Sequence, residues 1–334
     1  MTKFNAEIEE FLTKNDVGFH RDTDSLLLTE SGLRVVPVKI AAFKEDAANF
    51  IKKLKNKYLD TSSQETLFIY EDRWRYAKEQ TQQRVLLRIG KFKSIFARNC
   101  KVFSNISNIN TSASLSSSVL PTTLNPSNLK NTEIGSSCYH PQSIGVAMES
   151  KMEMKVKKFI EQNHSLGYIK SPYIFALIHK ENIVAAATFS KPIITIRIIK
   201  GSKQQFLSFE WTRYASLPNI SVVGGMGKLL KAFITTATKS YIPHPAENSS
   251  NILLPIEIMS YSDNEWSSGE AYNKLGFKQV EGISPIPHYV NPLTWERVSE
   301  RIAMKTKMLK KSEQEPEFIK IYNMGSRKWL LHIL

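Results

Sequence analysis

Apolar residues recur at helical spacing over Phe4–Leu12 and predict a first amphipathic helix. Ser25–Glu30 and Leu33–Ile40 read as two strands around the turn Ser31–Gly32. Over Glu45–Tyr58, the side chains of Phe50, Ile51, Leu54 and Tyr58 fall on one helical face. Thr66–Tyr70 is a short, fully apolar strand, and a basic helix over roughly Tyr76–Ile89 follows it. The order β-β-α-β-α fits an α/β nuclease-like core and many other small α/β domains.

Residues 104–146 break this pattern. They are poor in charge and rich in Ser, Asn and Thr, a composition that buries too little apolar surface to offset the entropy of ordering. They read as a disordered insertion or linker. The dense pattern returns with a helix at Met152–Gln162, then strands at Ile174–His179 and Ile183–Phe189 joined by Lys180–Glu181–Asn182. A strand at Phe206–Ala215, a glycine turn and a helix at Lys228–Thr238 follow. A very apolar strand at Leu253–Ser260, a short helix at Gly269–Leu275 and a strand at Phe277–Val280 complete this part.

Charge adds a class of partner. The 334 residues carry 45 Lys and Arg against 31 Asp and Glu, a net charge of +14. Such a surplus favours a polyanion, nucleic acid or an acidic membrane surface; a merely basic soluble protein is the alternative. Between Arg73 and Lys101 there are nine Lys or Arg and one acid, Glu79. Trp74, Tyr76 and Phe96 interleave with them, which suits phosphate contact with base stacking. A solvated basic helix is the alternative. The DNA-contact candidates are Arg73, Trp74, Arg84, Arg88, Lys91 and Arg98. The tail adds Arg297, Arg301, Lys305, Lys307, Lys310 and Lys311, read as helical. Two cysteines build neither a disulfide framework nor a thiolate zinc site. Met1–Lys14 has no signal-peptide core and no apolar run reaches the roughly 20 residues of a membrane span, so a cytoplasmic protein with no membrane partner is expected.

The candidate chemistry centres on Val222–Val223–Gly224–Gly225–Met226–Gly227–Lys228, between a strand and a helix. Glycines permit close approach, and a helix N-terminus offers unpaired N–H groups to a pyrophosphate. The P-loop pattern fails, because Val222 stands at its first glycine and Leu229 at its hydroxyl. The dinucleotide fingerprint fails at Leu230. An ordinary tight turn remains the alternative. Glu210, Arg213 and Asp263 fall at strand positions or ends from which side chains can converge on a cleft. There a carboxylate serves as general base on an amine and Arg213 orients a phosphate, or the three form a structural ion pair. His164, at a helix end, is a catalytic contact or a cap.

The glycine turn with Tyr272–Asn273–Lys274–Leu275–Gly276–Phe277 resembles the GNAT superfamily of acyltransferases. Phe209–Tyr214, Ser260–Asp263 and Phe159–Tyr168 resemble a phage-associated branch of it that includes Mom-type DNA-modifying enzymes. Val222, Glu265 and Ser268 depart from the family pattern. The resemblance implies an α/β (α+β) fold with a mixed central sheet flanked by helices. It implies an acyl-CoA bound by Val223, Gly225, Gly227 and Lys228, and Tyr272 as general acid near the thioester sulfur. Residues 67–100 resemble the end of phage homing-type endonucleases of the PD-(D/E)XK and very-short-patch-repair kind. On that likeness Asp22 or Asp24 is the first metal ligand and Lys39 the motif lysine. Pro37 replaces the second acid, so metal-dependent cleavage is expected to be lost and no metal site is expected, with Glu30 the one rescue candidate. The expected organisation is a degenerate, DNA-binding nuclease-like domain at 1–96 and a GNAT-like domain at 97–290. A basic helix and closing hairpin at 291–334 pack on the latter. The expected activity is acylation of a nucleobase amine in DNA; non-catalytic DNA binding and residual nuclease activity are the alternatives.

Overall fold

Phe4, Ile8, Phe11 and Leu12 are buried on one side of the first helix, α1 (Lys3–Lys14), where they meet the first sheet. That sheet contains β1 (Phe19–Arg21), β2 (Leu26–Leu28), β3 (Arg34–Val38) and, after α2 (Ala47–Lys55), β4 (Thr66–Tyr70). Its order is β1-β2-β3-β4, antiparallel up to β3 and parallel between β3 and β4. Alternating residues cover both faces. Val35, Leu67 and Ile69 join α1, while Val36, Val38, Phe68 and Tyr70 join Ile51, Leu54 and Tyr58 on the other side. α3 (Glu71–Tyr76), not expected from the sequence, and the basic α4 (Lys78–Arg88), expected over roughly Tyr76–Ile89, follow.

The structure, a computed structural model, describes residues 2–44, 46–60, 64–105, 143–199, 201–241, 254–306 and 317–333. Most of the Ser/Asn-rich stretch (106–142) therefore lies outside the described residues, as do Lys307, Lys310 and Lys311.

β5 (Lys93–Phe96), a 3-10 turn at Ala97–Asn99 and β6 (Lys101–Ser104) lead into the second unit. There α5 (Ser143–Asn163) precedes β7 (Tyr173–His179) and β8 (Asn182–Phe189). The hairpin closes over Lys180 and Glu181, both at positive φ (45° and 67°), the two-residue turn whose twist matches paired strands. Next come β9 (Ile193–Ile199), β10 (Ser202–Ser216), β11 (Ile220–Val223), α6 (Gly225–Tyr241), β12 (Ile256–Asp263), α7 (Glu270–Lys274) and β13 (Lys278–Ile283). β14 (Pro287–Val290), β15 (Arg297–Ser299), α8 (Glu300–Lys305), β16 (Ile319–Tyr322) and β17 (Ser326–Ile333) end the chain. The large sheet has the order β13-β17-β12-β10-β8-β7-β6, with β9 paired to β10 beside it. α6 packs Leu229, Leu230 and Phe233 on one face, and α5 packs Val156, Phe159 and Ile160 on the other. The molecule is thus mixed α+β, with several mixed sheets flanked by helices.

The tail departs from the sequence reading in two ways. Arg297, expected in a helix, lies in β15, where it faces buried acids. The closing segment is not a hairpin: β16 joins β14 and β15 in a small sheet, while β17 inserts between β12 and β13. Val290, Ile321 and Met324 of this tail pack on Val36, Phe68 and Tyr70, so it covers the N-terminal sheet as well as completing the large one.

Candidate active site at the end of strand β12

The glycine turn forms where predicted. Gly224 takes φ +74°, a conformation that disfavours a side chain, and α6 starts at the next residue. A Cβ on Gly225 would sit 3.0 Å from Val222 and 3.2 Å from the Tyr214 hydroxyl; one on Gly227 would sit 3.2 Å from Leu275. These two glycines let α6 approach β10 and α7. Val222 is buried in the core, and Val223 faces outward. The Lys228 N–H donates to Gly224 O at 2.9 Å, so the N–H groups of Gly225, Met226 and Gly227 form the free end of the helix. The Lys228 ammonium is used otherwise than expected. It donates to the Ala97 and Cys100 carbonyls at 3.0 and 2.6 Å, capping the 3-10 turn rather than waiting for a phosphate. Burial pushes the Cys100 thiol pKa up.

β10 and β12 run parallel only from Leu207–Glu210 against Ile256–Met259. Beyond that, an irregularity between Trp211 and Arg213 turns β10 toward β8. The two strands part there. Aromatic side chains of the core pack at this point. Tyr272 stacks on Trp329 (5.9 Å) and meets Trp211 edge-on (6.0 Å). The Ser260 hydroxyl lies 3.2 Å from the Trp211 carbonyl and 2.9 Å from the Tyr272 hydroxyl. The Trp211 indole donates to Arg213 O at 3.0 Å. Burial raises the Tyr272 pKa, so its phenol keeps its proton.

Asp263, the last residue of β12, has a solvent-exposed side chain walled by protein. Desolvation, then the Glu265 carboxylate, push its pKa up to about 7. The Glu265 N–H (2.9 Å), Arg297 and Arg73 act in the opposite direction. Asp263 also acts on Arg84, whose pKa is lowered by burial and by Arg73. Arg73 is lowered by burial and by Arg297. Neither Arg73 nor Arg84 has an ion-pair partner among the described residues. Arg84 lies over the Trp266 ring at 5.6 Å.

Behind them is a network the sequence did not disclose. Arg297 grips Asp72 with two hydrogen bonds (2.6 and 2.8 Å) and Glu265 with a third (2.9 Å), all three side chains being buried. The Arg297 guanidinium also lies 4.5 Å from the Tyr70 ring centroid. Burial acts against its charge, but Asp72 and Glu265 outweigh this and raise its pKa. His288 stands near Arg297 and is kept neutral, its pKa lowered by burial and by that arginine. The only local sign was the Asp263-x-Glu265 pair of acids at a strand end; Asp72 and Arg297 are too distant in sequence to announce themselves.

The other candidates divide. Arg213 donates to the Gly167 and Thr212 carbonyls at 2.9 and 2.7 Å, and burial lowers its pKa against the raising effect of Glu210. His164 Nδ1 accepts the Leu166 N–H at 3.1 Å. Burial, then Arg213 and Arg84, push the His164 pKa down to about 3, so it is a neutral ring within the arginine group and a turn cap. Glu210 is half-buried on β10, where its charge acts on Tyr261 and Arg213. Trp74 is fully buried between Phe4 and Phe11, with its indole donating to Glu7 at 3.1 Å. It is a core residue and does not stack on a base. Arg88 pairs with Glu65 and donates to Trp266 O, and Lys91 donates to Asp16 O at 3.2 Å. Arg98 is exposed, stacked over the exposed Phe96 at 4.8 Å.

The nuclease candidates are committed to structure. Asp22 pairs with Arg34 at 2.7 Å. Asp24 pairs with Lys57 at 2.8 Å and accepts from Tyr58. Pro37 stands in β3 opposite Ile69, and Glu30 is exposed at the hairpin turn. Among the described residues no three His, Cys, Asp or Glu side chains gather as a metal site.

The fold thus defines an α+β protein with a carboxylate and arginine site. A scan of protein-family models finds no match for this chain, and a search of curated proteins finds none. Among the described residues no helix is long and apolar enough to cross a membrane.

Proposed function

We propose that this chain transfers an acyl group to an amine of nucleic acid, with Asp263 as the base. The observation that carries the reading is Asp263 itself: an exposed residue whose carboxyl pKa is pushed up to about 7, near two half-buried arginines, Arg73 and Arg84, without an ion-pair partner among the described residues. A carboxylate of that pKa accepts a proton from a nucleophile near neutral pH, and unpaired arginines suit phosphate oxygens. The exposed Phe96–Arg98 pair, with Lys93 beside it, supplies a stacking and phosphate-contact surface on the same molecule.

The acyl donor would meet the free N–H groups of Gly225, Met226 and Gly227 at the start of α6, without help from Lys228. Its chemistry is an activated thioester. The chain's own part is to hold the amine at Asp263, which takes the proton as nitrogen bonds to the acyl carbon. Tyr272, whose pKa burial raises, would return a proton to the departing sulfur. The sequence resemblance to GNAT and Mom-type enzymes supports this reading through the glycine turn before α6 and Tyr272–Phe277 after β12.

A second reading has its own observation. Lys228 is spent on Ala97 and Cys100, and Ser260 and Trp211 lie over the backbone of the parted strands. These contacts favour a nucleic-acid-binding protein that keeps the fold without the transfer. One experiment separates the two. The protein is incubated with single- and double-stranded DNA and acetyl-CoA, and the DNA is digested for nucleoside mass spectrometry. An acetylated nucleoside that disappears with Asp263→Asn supports transfer. Salt-sensitive DNA binding with an unchanged nucleoside profile supports the second reading.

A further inference from the structure

β9 is an edge strand of unusual character. It pairs with β10 on one side, from Ile193↔Ser208 to Ile199↔Ser202, and with no strand on the other among the described residues. Its sequence is Ile-Ile-Thr-Ile-Arg-Ile-Ile, apolar and nearly symmetric about Ile196. Ile194, Ile196 and Ile198 share one face and are 64%, 58% and 76% exposed; Ile193 is 61% exposed. Natural edge strands normally carry charge, proline or a bulge that discourages pairing. On this face β9 carries none of these.

The register sharpens the point. Ile199 and Ser202 are register partners only three positions apart, which makes them a hydrogen-bonded pair. Bonding to β10 then alternates along the strand, through 199, 197, 195 and 193. The backbone N–H and C=O groups of Ile194, Ile196 and Ile198 therefore turn to the free edge. The same three residues present both the unpaired backbone and the exposed side chains. Arg197 is drawn to the other face, where Glu257 holds it with bonds of 2.7 and 3.0 Å. It leaves no charge in the isoleucine row.

We infer that β9 pairs antiparallel with β9 of a second copy of this chain, about a two-fold axis through Ile196. This register sets Ile196 opposite itself and Ile194 opposite Ile198, and it satisfies all three exposed backbone positions in each copy. Ile193 falls opposite Ile199, and Thr195 opposite Arg197. No other register centred within the strand keeps every apolar residue facing an apolar one. A two-fold contact of this kind is self-complementary and closed, so it yields a dimer rather than a fibre. The isoleucine row supplies on the order of half the ~800 Å² that a stable interface takes from each partner. Leu207, Gln205 and Lys203, which lie beside Ile194, Ile196 and Ile198 on β10, border it. This inference does not depend on the transfer reaction.

Sedimentation velocity of the full chain at tens of micromolar tests it, together with two variants. The expected result is a dimer that Ile196→Lys converts to monomer, because the axis would bring two ammonium groups together. Ile196→Cys is expected to cross-link to its counterpart under mild oxidation, since opposed Cα atoms about 5.5 Å apart accept a disulfide. Ile193→Cys, whose counterpart is Ile199, is expected to stay at the wild-type background. A monomeric wild-type protein overturns the inference. So does a dimer that Ile196→Lys leaves intact, or equal cross-linking at 193 and 196.

Discussion

Desolvation first, and then the Glu265 carboxylate, oppose the charge of Asp263. Its folded pKa, about 7, lies above the ordinary 3.8 of an aspartate, so the folded state holds its proton up to near neutrality. The sign follows: this group favours the folded state as pH falls from about 7 toward 4, and works against it above 7. The base form is the carboxylate, so transfer should rise with pH through about 7. Glu265→Gln removes a like charge and should move that rising limb to lower pH; an unmoved limb would argue that another group is the base. Arg297 plays the opposite part, since it neutralises Asp72 and Glu265 out of water. Arg297→Met leaves two buried carboxylates unpaired and should lower unfolding free energy by about 3–5 kcal/mol in urea. The position of Asp263 at a strand end was legible, but the Asp72–Arg297 pair behind it was not, because 225 residues separate its two members.

Elements whose partners lie close in sequence were the readable ones. The hairpin of β7 and β8, strand β4 and the turn before α6 follow from local pattern and turn chemistry. β17 was read as half of a hairpin because its true neighbours, β12 and β13, leave no trace in its own residues. β9 escaped notice although Ile194, Ile196 and Ile198 alternate with Thr195 and Arg197, the period of a strand. Trp74 was placed among DNA contacts because it stands between two arginines, yet packing with Phe4 and Phe11 claims it. The loop between β12 and α7 depends on Gly269, at φ +86°, where a Cβ would sit 2.3 Å from the Trp329 ring. Gly269→Ala should therefore cost about 1–3 kcal/mol and lower the melting temperature. At the start of α6, Lys228→Met should also lower stability by about 1 kcal/mol, the net worth of a hydrogen bond or two. It should leave acetyl-CoA affinity unchanged; a large loss of affinity would return Lys228 to the donor site.

For the whole molecule, the three parts of the chain share one arrangement of layers. The tail strands seal the N-terminal sheet, β17 completes the large sheet, and Arg297 ties α3 to the loop after β12. α3 and the basic α4 are thereby brought against the loop after β12, with Arg73 on the first and Arg84 on the second, and the charge of Asp263 acts on both. Neither the N-terminal region nor the tail is a separate appendage to the site. The surplus of positive charge predicts that DNA affinity falls steeply with salt, and that Arg98→Ala weakens binding uniformly across sequences. The most direct test of the central claim is nucleoside mass spectrometry of DNA treated with acetyl-CoA and either wild-type protein or Asp263→Asn. The account predicts an acylated base with the wild type and its loss with the variant. An acylated base produced equally by Asp263→Asn, or none produced by the wild type while DNA is bound, would contradict it.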